Sequence, residues 1–265
     1  MAPAPLLEAV DVSFTYGAST VLDRVSFTLG SSEVVSLLGP SGCGKTTLLN
    51  LIAGFRQPSS GRLLFDGAPI TAPGPERAVV FQSGALFDWL TARQNIEFSL
   101  SCRGVAKAER RDVSEHVLEL VGLKGAGGLY PYEMSGGMRQ RVGVGRVIAA
   151  RPRIMLMDEP FAAVDVQTRE ALQEELLRIH AATRCTIVFV THSIEEAVFL
   201  SNRVFVLAKR GGTFDAAFDV ALPAPRWDGL NRLDPEFLRL RERIYLTMKA
   251  GSPAATTGAR AHALT

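Results

Sequence analysis

The chain has 265 residues, of which 47% are hydrophobic, so it can bury a complete core without disulfide bonds or a structural metal. A formal net charge of +2, with no long run of one sign, disfavours a main role in binding DNA or RNA. The three cysteines, Cys43, Cys102 and Cys185, are scattered and lack CxxC spacing. This argues against a disulfide framework and a zinc site, and it fits a reducing compartment.

The first thirty residues predict antiparallel β structure. Apolar positions alternate with polar ones at Val25, Phe27 and Leu29 before the pattern ends at Gly30. Glu8 and Asp11 interrupt the first apolar stretch, which therefore predicts neither a signal peptide nor a membrane span. No other stretch approaches the roughly 18 continuous apolar residues of a membrane helix. If the protein serves a membrane, we expect it to dock onto another subunit.

A buried strand, a glycine loop and a helix are predicted next, an α/β beginning. The apolar run 34–38 is typical of a strand, and the run from Thr46 to Ala53 is typical of a helix. The loop between them matches the phosphate-loop pattern G-x-x-x-x-G-K-[ST] in full. The matching residues are Gly39, Pro40, Ser41, Gly42, Cys43, Gly44, Lys45 and Thr46.

This loop predicts a nucleotide-phosphate site. Its glycines let backbone N–H groups turn towards a phosphate, and the helix N-terminus adds positive potential. Lys45 supplies a mobile charge, Thr46 is expected to hold Mg²⁺ through its hydroxyl, and Thr47 completes the expected binding set. Because a helix N-terminus tends to lower a thiol pKa, we expect alkylation of Cys43 to inhibit and ATP to protect. The alternative for Cys43 is a small residue that fits a tight loop.

Helical spacing dominates the middle of the chain. The strand signal disappears from about Ala92 to Arg151, and 108–121 has the apolar spacing of a helix. Apolar runs at 154–157 and 186–190, with a helix-like segment between them, then predict parallel strands joined by a crossover. The chain is thus expected to return to its first lobe.

Two further helices and one strand are expected near the end. Ser193 and Glu196 have capping-box spacing, and 203–208 is predicted to be a strand. Asp234 and Pro235 place a capping side chain and an N1 proline before a terminal amphipathic helix. The final residues, 251–265, are small and polar, and we expect them to be disordered.

An acidic pair follows the strand at 154–157. Asp158 is suited to the metal shell of a bound nucleotide, because phosphate-loop enzymes need a carboxylate at the end of a neighbouring strand. Glu159 is one residue further, so we expect it to orient and deprotonate the attacking water. The alternative is an apolar strand that ends in a solvated acidic pair.

Residues 134–141, Met-Ser-Gly-Gly-Met-Arg-Gln-Arg, resemble the signature segment of the ABC ATPase family. The resemblance extends over about residues 5–210 and implies that Ser135, Gly136 and Gly137 present N–H groups to the γ-phosphate of ATP held by a second subunit. The sequence departs from the commonest pattern at Met134, which replaces leucine, and at Met138, which replaces glutamine.

Four more residues match the family position by position. The resemblance implies that Tyr16 stacks on adenine, that Gln82 contacts Mg²⁺ and water and senses the membrane partner, and that Asp165 contacts the opposing subunit. His192 resembles the family's γ-phosphate histidine, whose N–H donor steadies developing charge. A strand-end tyrosine and a structural histidine remain the alternatives for Tyr16 and His192.

The resemblance implies an α/β fold, namely a P-loop NTPase core with an antiparallel β subdomain and an inserted helical subdomain. The expected divisions are an ATPase domain at 5–210, with its helical insertion at about 88–151, an extension at 211–250 and a tail at 251–265. The expected cofactors are ATP and Mg²⁺. The expected partners are a second cassette subunit, most simply another copy, permease subunits and, indirectly, a solute-binding protein, with no nucleic acid. The expected location is peripheral, on the cytoplasmic face of the inner membrane.

Two segments refine this expectation. Residues 87–91, Phe-Asp-Trp-Leu-Thr, lie where the family receives a coupling helix from the permease, with a local hydrophobic core as the alternative. The segments LFDWLTARQNIEF and YPYEMSGGMRQRV resemble importers of nitrate, sulfonates and taurine. An importer of another small molecule, such as a pyrimidine vitamin precursor, remains open. A non-transport cassette of DNA maintenance or ribosome action is disfavoured. Chromosome-type members insert long coiled coils between the phosphate loop and the signature, whereas about 90 residues separate Lys45 from Ser135 here, and ribosome-type members carry two cassettes in one chain.

Overall fold

The computed structural model describes residues 4–81, 85–162, 166–208, 212–227 and 230–250. Two compact units make up this part of the chain. The first combines Met1–Pro73 with Val188–Thr265, and the second is Gly74–Ile187. No helix in the described ranges has both the length and the apolar character needed to cross a membrane.

The strands and helices follow the predicted order. Within the described ranges the strands are β1 (Leu7–Tyr16), β2 (Ser19–Leu29), β3 (Val34–Leu38), β4 (Ser60–Phe65), β5 (Ala68–Pro69), β6 (Arg77–Val80), β7 (Ile154–Asp158), β8 (Thr186–Thr191), β9 (Arg203–Leu207) and β10 (Phe214–Asp219). The α-helices are α1 (Lys45–Ala53), α2 (Ala92–Cys102), α3 (Lys107–Leu120), α4 (Gly136–Ala149), α5 (Val166–Thr183), α6 (Ile194–Leu200) and α7 (Pro235–Ala250). Short 3-10 turns occupy Pro131–Glu133 and Leu230–Leu233.

An antiparallel sheet in the first unit confirms the predicted β start. Its strand order is β2-β1-β4-β5. Val25, Phe27 and Leu29 of β2 are buried, as their alternation predicted. Gly61 permits the close pairing of β4 with β1, because its φ is +78° and a Cβ there would lie 2.2 Å from the Asp11 carbonyl oxygen.

A second set of strands in this unit carries the glycine loop. β3 is buried along its whole length and pairs in parallel with β9, which pairs with β10 in antiparallel fashion. β10 was not predicted from the sequence. Its burial alternates, with Phe214, Ala216 and Phe218 less exposed than the residues between them, but the apolar Ala217 on the exposed face interrupts the apolar–polar pattern.

A side-chain cap and a partly buried arginine stabilise the C-terminal part of the first unit. The Glu236 N–H donates to Asp234 Oδ1 at 2.7 Å, which confirms the predicted start of α7. α7 buries Phe237, Leu240 and Ile244. The Arg226 guanidinium donates to the carbonyl oxygens of Ser201, Val220 and Leu222. It thereby ties the extension to the end of α6, and burial lowers the pKa of Arg226.

The second unit is mainly helical, as predicted for residues 92–151. α2, α3 and α4 pack against one another, and Gly145 of α4 allows their close approach. A Cβ at Gly145 would lie 3.0 Å from Val117 Cγ1 and 3.3 Å from Ile96 Cδ1. β6 and β7 pair in parallel in the same unit.

Candidate functional site

The glycine loop connects β3 to α1 in a conformation that requires glycine at several positions. Gly42 and Gly44 have φ of +80° and +105°, and a Cβ at Gly39 would lie 2.7 Å from Cys43 Sγ. Gly44 is the N-cap of α1 and brings no side-chain cap. The first-turn N–H groups of α1 therefore suit an anion, which the helix dipole also favours.

Lys45 ties the loop to itself. Its side chain is 5% exposed, and its ammonium group donates to the carbonyl oxygens of Gly39 at 2.7 Å and Pro40 at 2.9 Å. The same positive charge thus holds the shape of the loop and lies at the first residue of α1, whose first-turn N–H groups suit an anion. The hydroxyl-bearing Thr46 is exposed, whereas Thr47 is buried.

Cys43 corrects one sequence expectation. The thiol is buried, and that burial raises its pKa above 9.0, because the opposing effect of the Lys45 ammonium is smaller. The predicted low pKa, and with it the basis for ready alkylation, is therefore wrong. The structure fits the alternative, a small side chain packed inside a tight loop.

Tyr16 ends β1 with an accessible ring, 45% exposed. Phe14 meets it edge to face, with ring centroids 4.9 Å apart. The Arg56 guanidinium lies 5.0 Å from the Tyr16 ring centroid. No local sequence pattern indicates Arg56, because 40 residues separate it from Tyr16 along the chain.

Asp158 ends β7 in the second unit, after four buried residues, and Glu159 directly follows it. Both are partly accessible, and Glu159 has φ of +43°. A residue other than glycine is seldom found in this left-handed region and tends to occur at functional sites. The left-handed backbone thus falls on the residue that directly follows β7.

The signature-like segment caps a helix in the second unit. Ser135 is the N-cap of α4, and its Oγ accepts a hydrogen bond from the Met138 N–H at 3.2 Å. Arg139 Nη1 donates to the Met134 carbonyl oxygen at 2.7 Å, which fixes the approach to the helix. Gly137 lies close to α5, since a Cβ there would meet Thr168 Cγ2 at 2.7 Å. Ser135 and Gly136 remain exposed at the beginning of α4.

His192 lies in the first unit, between the end of β8 and the beginning of α6. Ser193 caps α6 as predicted, its Oγ accepting from the Glu196 N–H at 3.3 Å. The Glu196 carboxylate accepts a hydrogen bond from the Thr191 hydroxyl at 2.5 Å. Two further candidates, Gln82 and Asp165, lie outside the described residues.

Phe87, the first residue of the aromatic segment 87–91, lines a groove in the second unit, and the Trp89 ring lies beside it with ring centroids 5.4 Å apart. The Trp89 side chain is 73% exposed, and Phe81 and Phe98 are each more than 40% exposed. A groove of about 390 Å³ is lined by Phe81, Phe87, Phe98 and Arg146 among others. The Arg146 guanidinium lies 5.5 Å from the Phe87 ring centroid, and burial lowers its pKa.

Comparison with known proteins agrees with this geometry. The family model for the ABC transporter matches residues 22–162. The chain is 45% identical over 241 residues to the taurine import ATP-binding protein TauB of Chromobacterium violaceum, covering 89% of this chain and 92% of that protein. It is 41% identical over 247 residues to the nitrate import ATP-binding protein NrtD of Synechocystis sp., covering 90% and 93%.

A solved structure extends the comparison to the fold. The dimeric ATP-binding cassette MJ0796, in a post-hydrolysis state bound to ADP and Pi, has a TM-score of 0.72 and 28% sequence identity. The match covers 81% of this chain and 98% of that one. The predicted fold class, a P-loop NTPase core with an antiparallel β subdomain and an inserted helical subdomain, is confirmed.

Proposed function

This chain belongs to the ABC transporter family, in the group of ATP-binding subunits that includes TauB and NrtD, and on that premise we propose that it hydrolyses Mg-ATP to power an importer. It works at the cytoplasmic face of the inner membrane as a peripheral subunit, with a second cassette and permease subunits. A solute-binding protein delivers cargo to that permease. The glycine loop carries this proposal, because its positive-φ glycines and its buried Lys45 suit a polyphosphate.

The donor atoms of this chain fit Mg²⁺. The Thr46 hydroxyl and the Asp158 carboxylate are hard oxygen ligands, and Gln82 adds an amide oxygen. When bound, the ion neutralises charge on the β- and γ-phosphates. We assign Thr46, Gln82 and Asp158 to this ion by the resemblance to the family.

Hydrolysis then requires a base and a charge-stabilising donor. Glu159 orients and deprotonates the attacking water, and the His192 N–H donates to the γ-phosphate as charge develops there. Lys45 stabilises the same charge, and Tyr16 stacks on the adenine with its exposed ring face. The left-handed backbone at Glu159 supports a functional role for this residue, since such conformations cluster at functional sites.

The ATP site is shared between two cassettes in this proposal. Ser135, Gly136 and Gly137 of one copy present the N-terminus of α4 to ATP held by the other copy, and Asp165 contacts that copy. Hydrolysis requires closure because the donors are divided between two chains. Two identical subunits satisfy this arrangement with one sequence.

The groove beside Trp89 receives the permease. An aromatic surface that is exposed at Trp89, Phe81 and Phe98, with one arginine in its wall, has the composition of a protein-binding hot spot. Its lining residues come from the segments 78–81, 85–87, 98–99 and 146–150, all within the second unit. We infer that a short helix of the permease packs here.

The cargo is proposed from the relatives alone. Taurine and nitrate are named as imported solutes of TauB and NrtD, so the transporter of this chain takes a small anion or sulfonate. Cargo choice belongs to the permease and the binding protein, because a cassette contacts only nucleotide and protein. An importer of another small molecule is the second candidate within the same family.

The experiment that tests this function measures the Mg-ATPase rate of the purified chain against its concentration. Turnover per chain should rise with concentration, because each site needs two copies. Glu159→Gln should abolish turnover, retain ATP binding and elute as an ATP-dependent dimer. Glu170→Gln, a change at an exposed carboxylate of α5, is the matched control. Turnover that is independent of concentration in a persistent monomer would refute the shared site.

A further inference from the structure

The connection that carries His192 is very short. β8 ends at Thr191 and α6 begins at Ile194, so only His192 and Ser193 lie between them. With two residues available, the backbone on each side sets the direction of the Cα–Cβ bond that carries the His192 imidazole. The groups that fix this backbone therefore bear on catalysis by His192.

Three hydrogen bonds staple this connection. The Ser193 N–H donates to Thr191 Oγ1 at 3.0 Å, and the Thr191 hydroxyl donates to Glu196 Oε2 at 2.5 Å. The Glu196 N–H donates in turn to Ser193 Oγ at 3.3 Å. We call these three bonds the circuit. They link Thr191, which precedes His192, to Ser193, which follows it.

Burial makes this circuit stiff. Thr191 is 2% exposed and Glu196 is 8% exposed, so both side chains are held in low-dielectric surroundings. A buried carboxylate is costly unless it accepts hydrogen bonds, and hydrogen bonds strengthen each other there. The neighbouring Glu195 is exposed instead, with its carboxylate 3.8 Å from Arg241 Nη1, and it accepts a long, exposed hydrogen bond of 3.5 Å from the Ser193 hydroxyl.

We propose that Thr191 and Glu196 are positioning residues for His192. The Glu196 carboxylate fixes the rotamer of the Thr191 hydroxyl, which leaves an oxygen lone pair for the Ser193 N–H. The peptide that bears His192 is thereby held in one conformation before ATP arrives, and preorganised donors need no rearrangement during reaction. The inference rests on the proposed function, since it concerns the histidine of that reaction.

A double-mutant cycle tests the inference. Thr191→Val keeps the shape of the side chain and removes the hydroxyl, and we expect kcat for ATP hydrolysis to fall about tenfold with KM nearly unchanged. Thr191→Ser restores the hydroxyl and should restore kcat. In a His192→Ala background, Thr191→Val should have little further effect, because its influence passes through the histidine.

A pair of neighbouring carboxylates provides the control. Glu196→Leu should lower kcat as Thr191→Val does, whereas Glu195→Leu should leave kcat within about twofold. Thermal unfolding and ATP binding of each variant separate a catalytic effect from loss of the folded state.

The outcomes are distinguishable. Equal losses of kcat from Thr191→Val in both backgrounds would overturn the positioning role and leave the proposed ATPase intact. Unchanged kcat in Thr191→Val would do the same. Unchanged kcat in His192→Ala would overturn the assigned role of the histidine together with this inference.

Discussion

Asn95 and Phe87 exchange two hydrogen bonds, since the Phe87 N–H donates to Asn95 Oδ1 at 2.9 Å and Asn95 Nδ2 donates to the Phe87 carbonyl oxygen at 3.1 Å. The same amide nitrogen also reaches the carbonyl oxygens of Leu90 and Thr91. Asn95 is completely buried. One side chain from α2 thus closes the loop that displays Trp89.

Asn95→Ala should lower the free energy of unfolding by roughly 2 kcal/mol, because it leaves buried backbone groups of the loop without partners. Gln94→Ala removes only the exposed capping-box acceptor of Thr91 N–H and should lower it by less than about 1 kcal/mol. Urea denaturation of both variants measures the difference. Equal losses of unfolding free energy in the two variants would contradict the role of Asn95 in closing this loop.

Thiol chemistry should begin at Cys102. Cys43 and Cys185 are buried, and burial raises both pKa values, that of Cys185 to about 11, whereas Cys102 is exposed. At pH 8 the buried thiols hold less thiolate than a free cysteine, and their labelling should accelerate only as the pH rises. Mass spectrometry after brief maleimide treatment checks the order. Rapid labelling of Cys43 in a Cys102→Ser variant would show that burial does not protect it.

Lys45→Ala should weaken ATP binding by roughly 10- to 100-fold, because it removes both a phosphate-facing charge and the tie to the Gly39 and Pro40 carbonyl oxygens. A fluorescent ATP analogue measures the affinity. Lys107→Ala, at the exposed beginning of α3, removes the same charge elsewhere and should bind normally. Unchanged affinity in Lys45→Ala would exclude the lysine from nucleotide binding.

Trp89→Ala should weaken association with the permease by about tenfold or more, because a largely exposed aromatic ring beside a protein groove is typical of a binding hot spot. Co-purification of the assembled complex measures it. Tyr245→Ala removes another exposed aromatic ring, on α7, and should leave assembly unchanged. Full assembly of the Trp89 variant would place the permease contact elsewhere.

Local patterns gave the sequence much of its predictive power. The alternation at Val25, Phe27 and Leu29 and the cap at Ser193 depend on near neighbours, and both were confirmed. The glycine loop was recognisable because backbone geometry requires those residue types at that spacing. Each of these features is specified within a few residues of the chain.

Other features depend on contacts between distant residues. The raised pKa of the Cys43 thiol results from burial, so the rule for helix N-termini misled the prediction. Strand β10 pairs with β9, and the apolar Ala217 on its exposed face obscures its alternation in the sequence. The same holds for Arg56, whose contact with Tyr16 no local pattern indicates.

The parallel pairing of β3 with β9 has a consequence for synthesis on the ribosome. β3 is complete at Leu38, yet its two neighbours in the sheet, β8 and β9, begin at Thr186 and Arg203, so the strand that precedes the glycine loop waits for most of the chain to be translated. Gly74–Ile187 is continuous and has emerged by then. Pairing between strands that are distant in sequence slows folding and leaves strand edges unpaired in the meantime. The nascent first unit is therefore prone to aggregation, which chaperones counteract.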